Sequence, residues 1–175
     1  MKEYIHNFDN LSEKDITETV IRVKALLIHK NNIILGYERG IYQFPGGHLE
    51  ENETFIECIK REVMEETGII LKDEQIDKPI YKISHLNKDW PSIGNNRKSE
   101  IYYYVIKTDD KPNLSNTHYT ENEMLGNFSL EEIPINEVIQ KLTDNISKND
   151  KNKAITPDMI RVIEEYKKKE GIIWK

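Results

Sequence analysis

From Val20 to Ile28 aliphatic residues bracket Arg22 and Lys24 in an alternating pattern that predicts a strand. Asn31-Asn32 is a turn signal, and Ile33 to Tyr37 reads as the hairpin partner. Tyr42 to Phe44 predicts a short strand running into the loop Pro45-Gly46-Gly47. Thr54 to Thr67 is the clearest helix, with Phe55, Ile59 and Val63 repeating every four residues. Thr54 and Glu57 have capping-box spacing, and Gly68 stands where helices commonly end. Ile76 to Leu86 and Glu100 to Thr108 predict strands around a polar loop that carries Trp90. Tyr102, Tyr103 and Tyr104 then alternate between faces. Met124 to Phe128 reads as a short strand. Ser129 and Glu132 repeat the capping-box spacing before a helix from about Ile135 to Leu142. A last helix opens at Thr156-Pro157-Asp158, with proline in the first helical position and a stripe of Met159, Ile160, Val162, Ile163 and Tyr166. Strands and helices interleave without a βαβ rhythm, which predicts a mixed sheet flanked by helices.

The chain has 175 residues, enough for one domain with a real core. The expected division is a core over about 19–142, a polar irregular lead-in over 1–18 and a helical extension over 143–175. Twenty-five basic residues against 31 acidic ones leave a net charge of −6. That balance argues against stable nucleic-acid binding, because a phosphate backbone wants a basic face. It does not exclude a small phosphorylated ligand, since divalent cations can supply positive charge locally. Cys58 is the lone cysteine, so there is no disulfide framework, and the apolar runs are too short to span a bilayer. Met1 to Asn10 carries charges where a signal peptide needs an apolar stretch, so the expectation is a soluble cytoplasmic protein.

Charge distribution along the chain matters more than its sum. Glu50, Glu51, Glu53, Glu57, Glu62, Glu65 and Glu66 crowd one short stretch. Glu62, Glu65 and Glu66 stand at i, i+3 and i+4 and share about 100° of one helix face. Three carboxylates on one face repel one another unless a cation offsets the cost. Oxygen donors suit Mg²⁺ or Mn²⁺ rather than zinc. This stripe borders the apolar Phe55, Ile59 and Val63 stripe, where a pocket wall belongs. Gly46 and Gly47 upstream permit close main-chain approach to a ligand. Cys58 reads as a buried small residue, because acidic surroundings disfavour a thiolate.

Gly47, five residues, Glu53, seven residues, then Arg61-Glu62-Val63-Met64-Glu65-Glu66-Thr67-Gly68-Ile69 resembles an intact Nudix box. Seven fixed residues match by chance at roughly 10⁻⁷ to 10⁻⁹ per start position. Phe44-Pro45-Gly46-Gly47 and a downstream Phe128-Ser129-Leu130-Glu131-Glu132-Ile133-Pro134 are similar to segments of such domains. The resemblance covers about Thr19 to Leu142. It implies an α/β/α sandwich with a mixed β-sheet, to which this chain adds an extra C-terminal helix. It implies hydrolysis of a diphosphate bond in a nucleoside triphosphate or nucleoside diphosphate-X substrate, by water attack at phosphorus. Carried over by position, Glu62, Glu65, Glu66 and the Gly47 carbonyl would hold Mg²⁺ or Mn²⁺, with Glu53, Arg61 and Gly68 structural.

Candidates for the general base are Glu65 or Glu62, or else Glu121 or Glu123 in the Thr120 to Met124 loop. Arg39, Phe44, His48 and Trp90 are candidate substrate contacts. His6, His29, His85 and His118 show no ligand spacing in the sequence. Pro79 and Tyr81 lie nearer the box than the spacing associated with ADP-ribose and dinucleoside-polyphosphate subfamilies. Neither subfamily is assigned; the short box-centred domain with Phe44-Pro45-Gly46-Gly47 looks most like the nucleotide-sanitising, MutT-like end of the family. Alternatives are an ADP-ribose or nucleotide-sugar pyrophosphatase, or a non-catalytic nucleotide-sensing domain. An isoprenyl diphosphate isomerase is disfavoured by the placement of Cys58. The last helix reads as a cover on the domain or a homodimer contact.

Overall fold

The computed structural model describes residues 1–171. Among them a seven-stranded mixed sheet has helices on both faces. Its strands are β1 (Lys2–His6), β2 (Glu18–His29), β3 (Asn32–Glu38), β4 (Ile41–Gln43), β5 (Tyr81–Asn87), β6 (Arg97–Thr108) and β7 (Ser129–Pro134). The helices are α1 (Phe55–Thr67), α2 (Glu121–Leu125), α3 (Val138–Asp144) and α4 (Asn152–Glu170). Sheet order is β1-β5-β6-β2-β3-β4, with β7 also on β3. The β1–β5 and β2–β6 pairs are parallel and the remaining ladders antiparallel. The expected α/β/α sandwich with an extra C-terminal helix is the observed architecture.

Alternation along β2 sorts the core. Val23, Ala25 and Leu27 face α1 and pack with Cys58, Ile59 and Val63. Leu26 and Ile28 face the other way, against Val138 and Leu142 of α3 and Met159, Val162, Ile163 and Tyr166 of α4. Tyr103 and Tyr104 divide between the same two clusters. Each buried aliphatic side chain contributes about 1.5–3 kcal/mol, so both helix layers are firmly attached.

Several elements depart from the sequence reading. The lead-in is not irregular: Lys2–His6 adds a parallel edge strand to β5. Its ladder is tertiary, and the short polar segment carries no local signal of it. The strand expected from Ile76 begins at Tyr81, after a 3-10 turn at Asp73–Gln75. Met124 lies in helix α2, where Thr120 and Glu123 form the reciprocal cap. Ser129 and Glu132 do not cap a helix; both belong to β7, whose Ile133 enters the core while Glu132 meets His29 at 2.8 Å. Helix α3 accordingly starts at Val138. Pro157 lies inside α4, which starts at Asn152. There the buried Asn152 amide donates to the carbonyls of Gly40 and Asn145, both at 2.9 Å, and fixes the helix start ahead of the proline.

Candidate functional site

The site is built where β2 outruns its neighbour. Only Leu27, Ile28 and His29 pair with β3, which leaves the earlier part of that β2 edge free. The loop after β4 takes it: Val23 N–H donates to Gly47 O at 3.0 Å and Ala25 N–H to Pro45 O at 2.8 Å. Gly46 sits at φ 132°, where a side chain would strike the β2 backbone, so this crossing requires glycine. Gly47 faces α1, and a Cβ there would overlap the Glu62 carboxylate.

Helix α1 presents the acidic stripe to this loop. Thr54 accepts from Glu57 N–H at 3.2 Å and Glu57 accepts from Thr54 N–H at 2.8 Å, closing the N-terminus. Gly68 ends the helix in the left-handed conformation at φ 70°. Arg61 organises the face. Its guanidinium grips Glu53 through two hydrogen bonds of 2.8 and 3.0 Å. It also reaches Glu62 at 2.8 Å, Glu65 at 3.2 Å and the His48 carbonyl at 3.1 Å. These bonds, led by Glu53, push the Arg61 pKa up, and the reciprocal bond from Arg61 pulls Glu53 down.

Glu66 differs from its neighbours. It is buried and receives one hydrogen bond, from Gly46 N–H at 3.3 Å. Burial pushes its pKa up to about 8; nearby Glu62 and Glu123 add to the rise, and Lys24 opposes it. Burial also raises Glu62, with Arg61 offsetting it. A carboxylate left short of hydrogen bonds, a second raised one beside it and a glycine cradle form an oxygen-rich wall that fits a divalent cation. The three carboxylates are not closed on one another, since Arg61 holds Glu62 and Glu65 while Gly46 holds Glu66.

Glu62, Glu65, Glu66, Gly47 and His48 line one cavity of about 570 Å³. Glu123 lines it too, while also capping Thr120 N–H at 2.7 Å. Glu121 lies outside this lining. Burial lowers the His48 pKa, helped by Arg22, Lys24 and Arg97. Phe44, a candidate substrate contact, is 2% exposed in the α4-side core, with Tyr103 edge-on at 6.1 Å, and lines the neighbouring cavity. Trp90 sits on the exposed β5–β6 loop and lines neither this cavity nor its neighbour. Arg39 faces that second cavity, about 380 Å³ between the sheet and α4. Arg22, Lys24, Glu38, Ile41 and Gln43 line both cavities and join them.

Sequence reasoning passed over Arg22 and Lys24 as alternation residues. Two cations on a central, otherwise aliphatic strand were the available signal. Arg22 has no carboxylate partner among the described residues, and burial lowers its pKa, with Arg97 adding to the effect. Lys24 donates to the Gly46 carbonyl. Cys58 is structural in its setting: its thiol, raised to about 12 chiefly by burial, donates to the His48 carbonyl at 3.2 Å.

The model of the NUDIX domain matches residues 19–149, more than half of the chain. The chain belongs to the Nudix family. An 8-oxo-dGTP diphosphatase from Buchnera aphidicola subsp. Acyrthosiphon pisum is 43% identical over 35 residues. That match spans 20% of this chain and 28% of the relative's length. The crystal structure of a MutT protein from Bacillus halodurans superposes with a TM-score of 0.50 at 21% identity, covering 69% of this chain and 72% of that one. A MutT NUDIX hydrolase from Burkholderia pseudomallei gives 0.50 at 16% identity, over 67% and 84%. These two likenesses establish the Nudix fold. No helix among the described residues is long and apolar enough to cross a membrane.

Proposed function

We propose that this Nudix protein hydrolyses a diphosphate bond in a nucleoside triphosphate or nucleoside diphosphate-X, with Mg²⁺ or Mn²⁺ held by Glu62, Glu65, Glu66 and the Gly47 carbonyl. The observation that carries the reading is the convergence of those three carboxylates on one cavity, with Arg61 holding two of them. A diphosphate and this acidic wall repel each other. The metal, when bound, neutralises the phosphates and acidifies the attacking water.

The protein's own groups do the rest. Arg61 and Glu53 hold Glu62 and Glu65 in position. A glutamate of this wall takes the proton from water; Glu62, Glu65 and Glu123 border the cavity. Arg22 and Lys24 border it from β2 and meet phosphate oxygens there. The second cavity takes the group attached to the diphosphate, because the two cavities share one wall. The likeness to the Buchnera 8-oxo-dGTP diphosphatase favours a MutT-like substrate.

A turnover screen tests this. It covers ordinary and oxidised nucleoside triphosphates, ADP-ribose, dinucleoside polyphosphates and nucleotide sugars, each with Mg²⁺, Mn²⁺ or EDTA and with chromatographic product identification. Metal-dependent turnover of one class is expected. Thermal stabilisation by one compound without turnover under any metal would replace the hydrolase with a sensing domain.

A further inference from the structure

Away from the box, three side chains from three elements converge. His6 lies on β1, His85 on β5 and Asp158 on α4. The two histidines are register partners in the parallel β1–β5 pair. Partner side chains share a sheet face, and the rings stack with centroids 4.4 Å apart and planes 14° from parallel. Helix α4 crosses that face and sets Asp158 against both. His6 Nε2 lies 2.8 Å from Asp158 Oδ1, and His85 Nε2 lies 2.8 Å from Oδ2. The Asp158 side chain is 4% exposed. All three ligand-capable atoms fall within 4.8 Å of one another, the one grouping of its kind among the described residues.

The donor set is chemically distinct from the box. Two imidazole nitrogens and one carboxylate suit Zn²⁺ and its borderline neighbours, whereas the box offers oxygen alone. A tetrahedral zinc ion with bonds of about 2.0–2.1 Å needs ligand atoms about 3.3 Å apart. That spacing lies between the hydrogen-bonded 2.8 Å gaps and the 4.8 Å bound on the cluster, and binding an ion swings the two rings out of their parallel stack so that both Nε2 lone pairs meet at one point in place of the Asp158 hydrogen bonds. Without metal, each Nε2–H donates to the acceptor-only Asp158 carboxylate; on binding, each neutral ring moves its one proton from Nε2 to Nδ1 and turns the freed Nε2 lone pair to the ion. His85 and Asp158 also line the cavity beneath α4, which gives a fourth ligand a way in.

We propose that His6, His85 and Asp158 form a transition-metal site for Zn²⁺ or an ion of like preference, separate from the box. His6 and Asp158 lie outside the family match over 19–149, so the ion would join the two flanking segments to the sheet. The test uses the full chain, stripped with chelator, dialysed and saturated with Mg²⁺ to fill the box. Co²⁺ is then titrated and followed by its visible absorption, with Zn²⁺ as competitor and circular dichroism as the check on folding. One equivalent per chain is expected, with bands of nitrogen-containing coordination that Zn²⁺ abolishes. His6→Gln and His85→Gln each weaken Co²⁺ binding by about 100-fold or more, and Glu66→Gln leaves the bands in place. His6→Gln keeps an amide that can still hydrogen-bond Asp158, so a folded variant without bands separates metal ligation from structural pairing. Absence of bands in the folded wild type, or bands that survive both histidine variants, overturns the proposal.

Discussion

At the scale of single residues, Glu66 is where folding and function pull apart. A buried carboxyl whose pKa rises to about 8 disfavours the folded state as pH rises. Below the unfolded value near 4.5 the group is protonated in both states and contributes nothing. Between that value and about 8 the unfolded chain ionises first, so metal-free stability falls with pH across this window. With metal chelated, Glu66→Gln should raise the melting temperature at pH 8 by about 5 °C and flatten its fall with pH. With Mg²⁺ present, the same variant should lose about 100-fold or more in kcat. Melting curves in EDTA over pH 5–8, beside turnover assays in Mg²⁺, check both signs. A lower melting temperature in EDTA would make Glu66 an ordinary structural residue.

At the scale of elements, the loop after β4 and helix α1 work as one unit, held by different means at its two ends. Gly47 faces the Glu62 carboxylate, a side chain that can rotate away. Gly68 has φ 70°, and a Cβ there would meet the Asn113 carbonyl, which cannot. Gly47→Ala should therefore displace Glu62 and cut turnover by about 100-fold with little change in melting temperature. Gly68→Ala should cost about 1–3 kcal/mol of stability, read by urea denaturation, through strain at the helix end. Equal effects of both on stability would show that the loop is rigid scaffold. Helix α1 was legible in the sequence because its caps, apolar stripe and acidic stripe all agree locally. β1 and β7 were not, because a ladder with a distant strand defines each. The box carboxylates were readable from spacing on one helix. Arg22 and Lys24 share one strand face by their i, i+2 spacing, but their place beside the box, like the His6–His85–Asp158 cluster, arises only when the sheet forms, and no spacing along the chain encodes that.

At the scale of the whole molecule, α4 determines what the box can be used for. It roofs the sheet face opposite α1 and closes the second cavity with Ala154, Ile155, Asp158 and Met159. Arg22 and Lys24 stand on the shared wall, so a ligand reaching from the carboxylates towards α4 passes both cations. Chemistry would then sit under the box helix and recognition under the C-terminal helix. Ala154 offers a clean way to separate them, since it is exposed in α4 yet lines the second cavity. Ala154→Trp should fill that space without disturbing either buried cluster. The expected result is a KM raised about tenfold for a nucleoside-bearing substrate, about 1.4 kcal/mol of lost binding. The kcat/KM for a diphosphate bearing only a small alcohol should stay unchanged, because that substrate never reaches α4. Equal loss on both substrates would mean that tryptophan distorts the carboxylate wall. No loss on either would remove the α4 cavity from substrate recognition and leave the box cavity to supply all of the specificity.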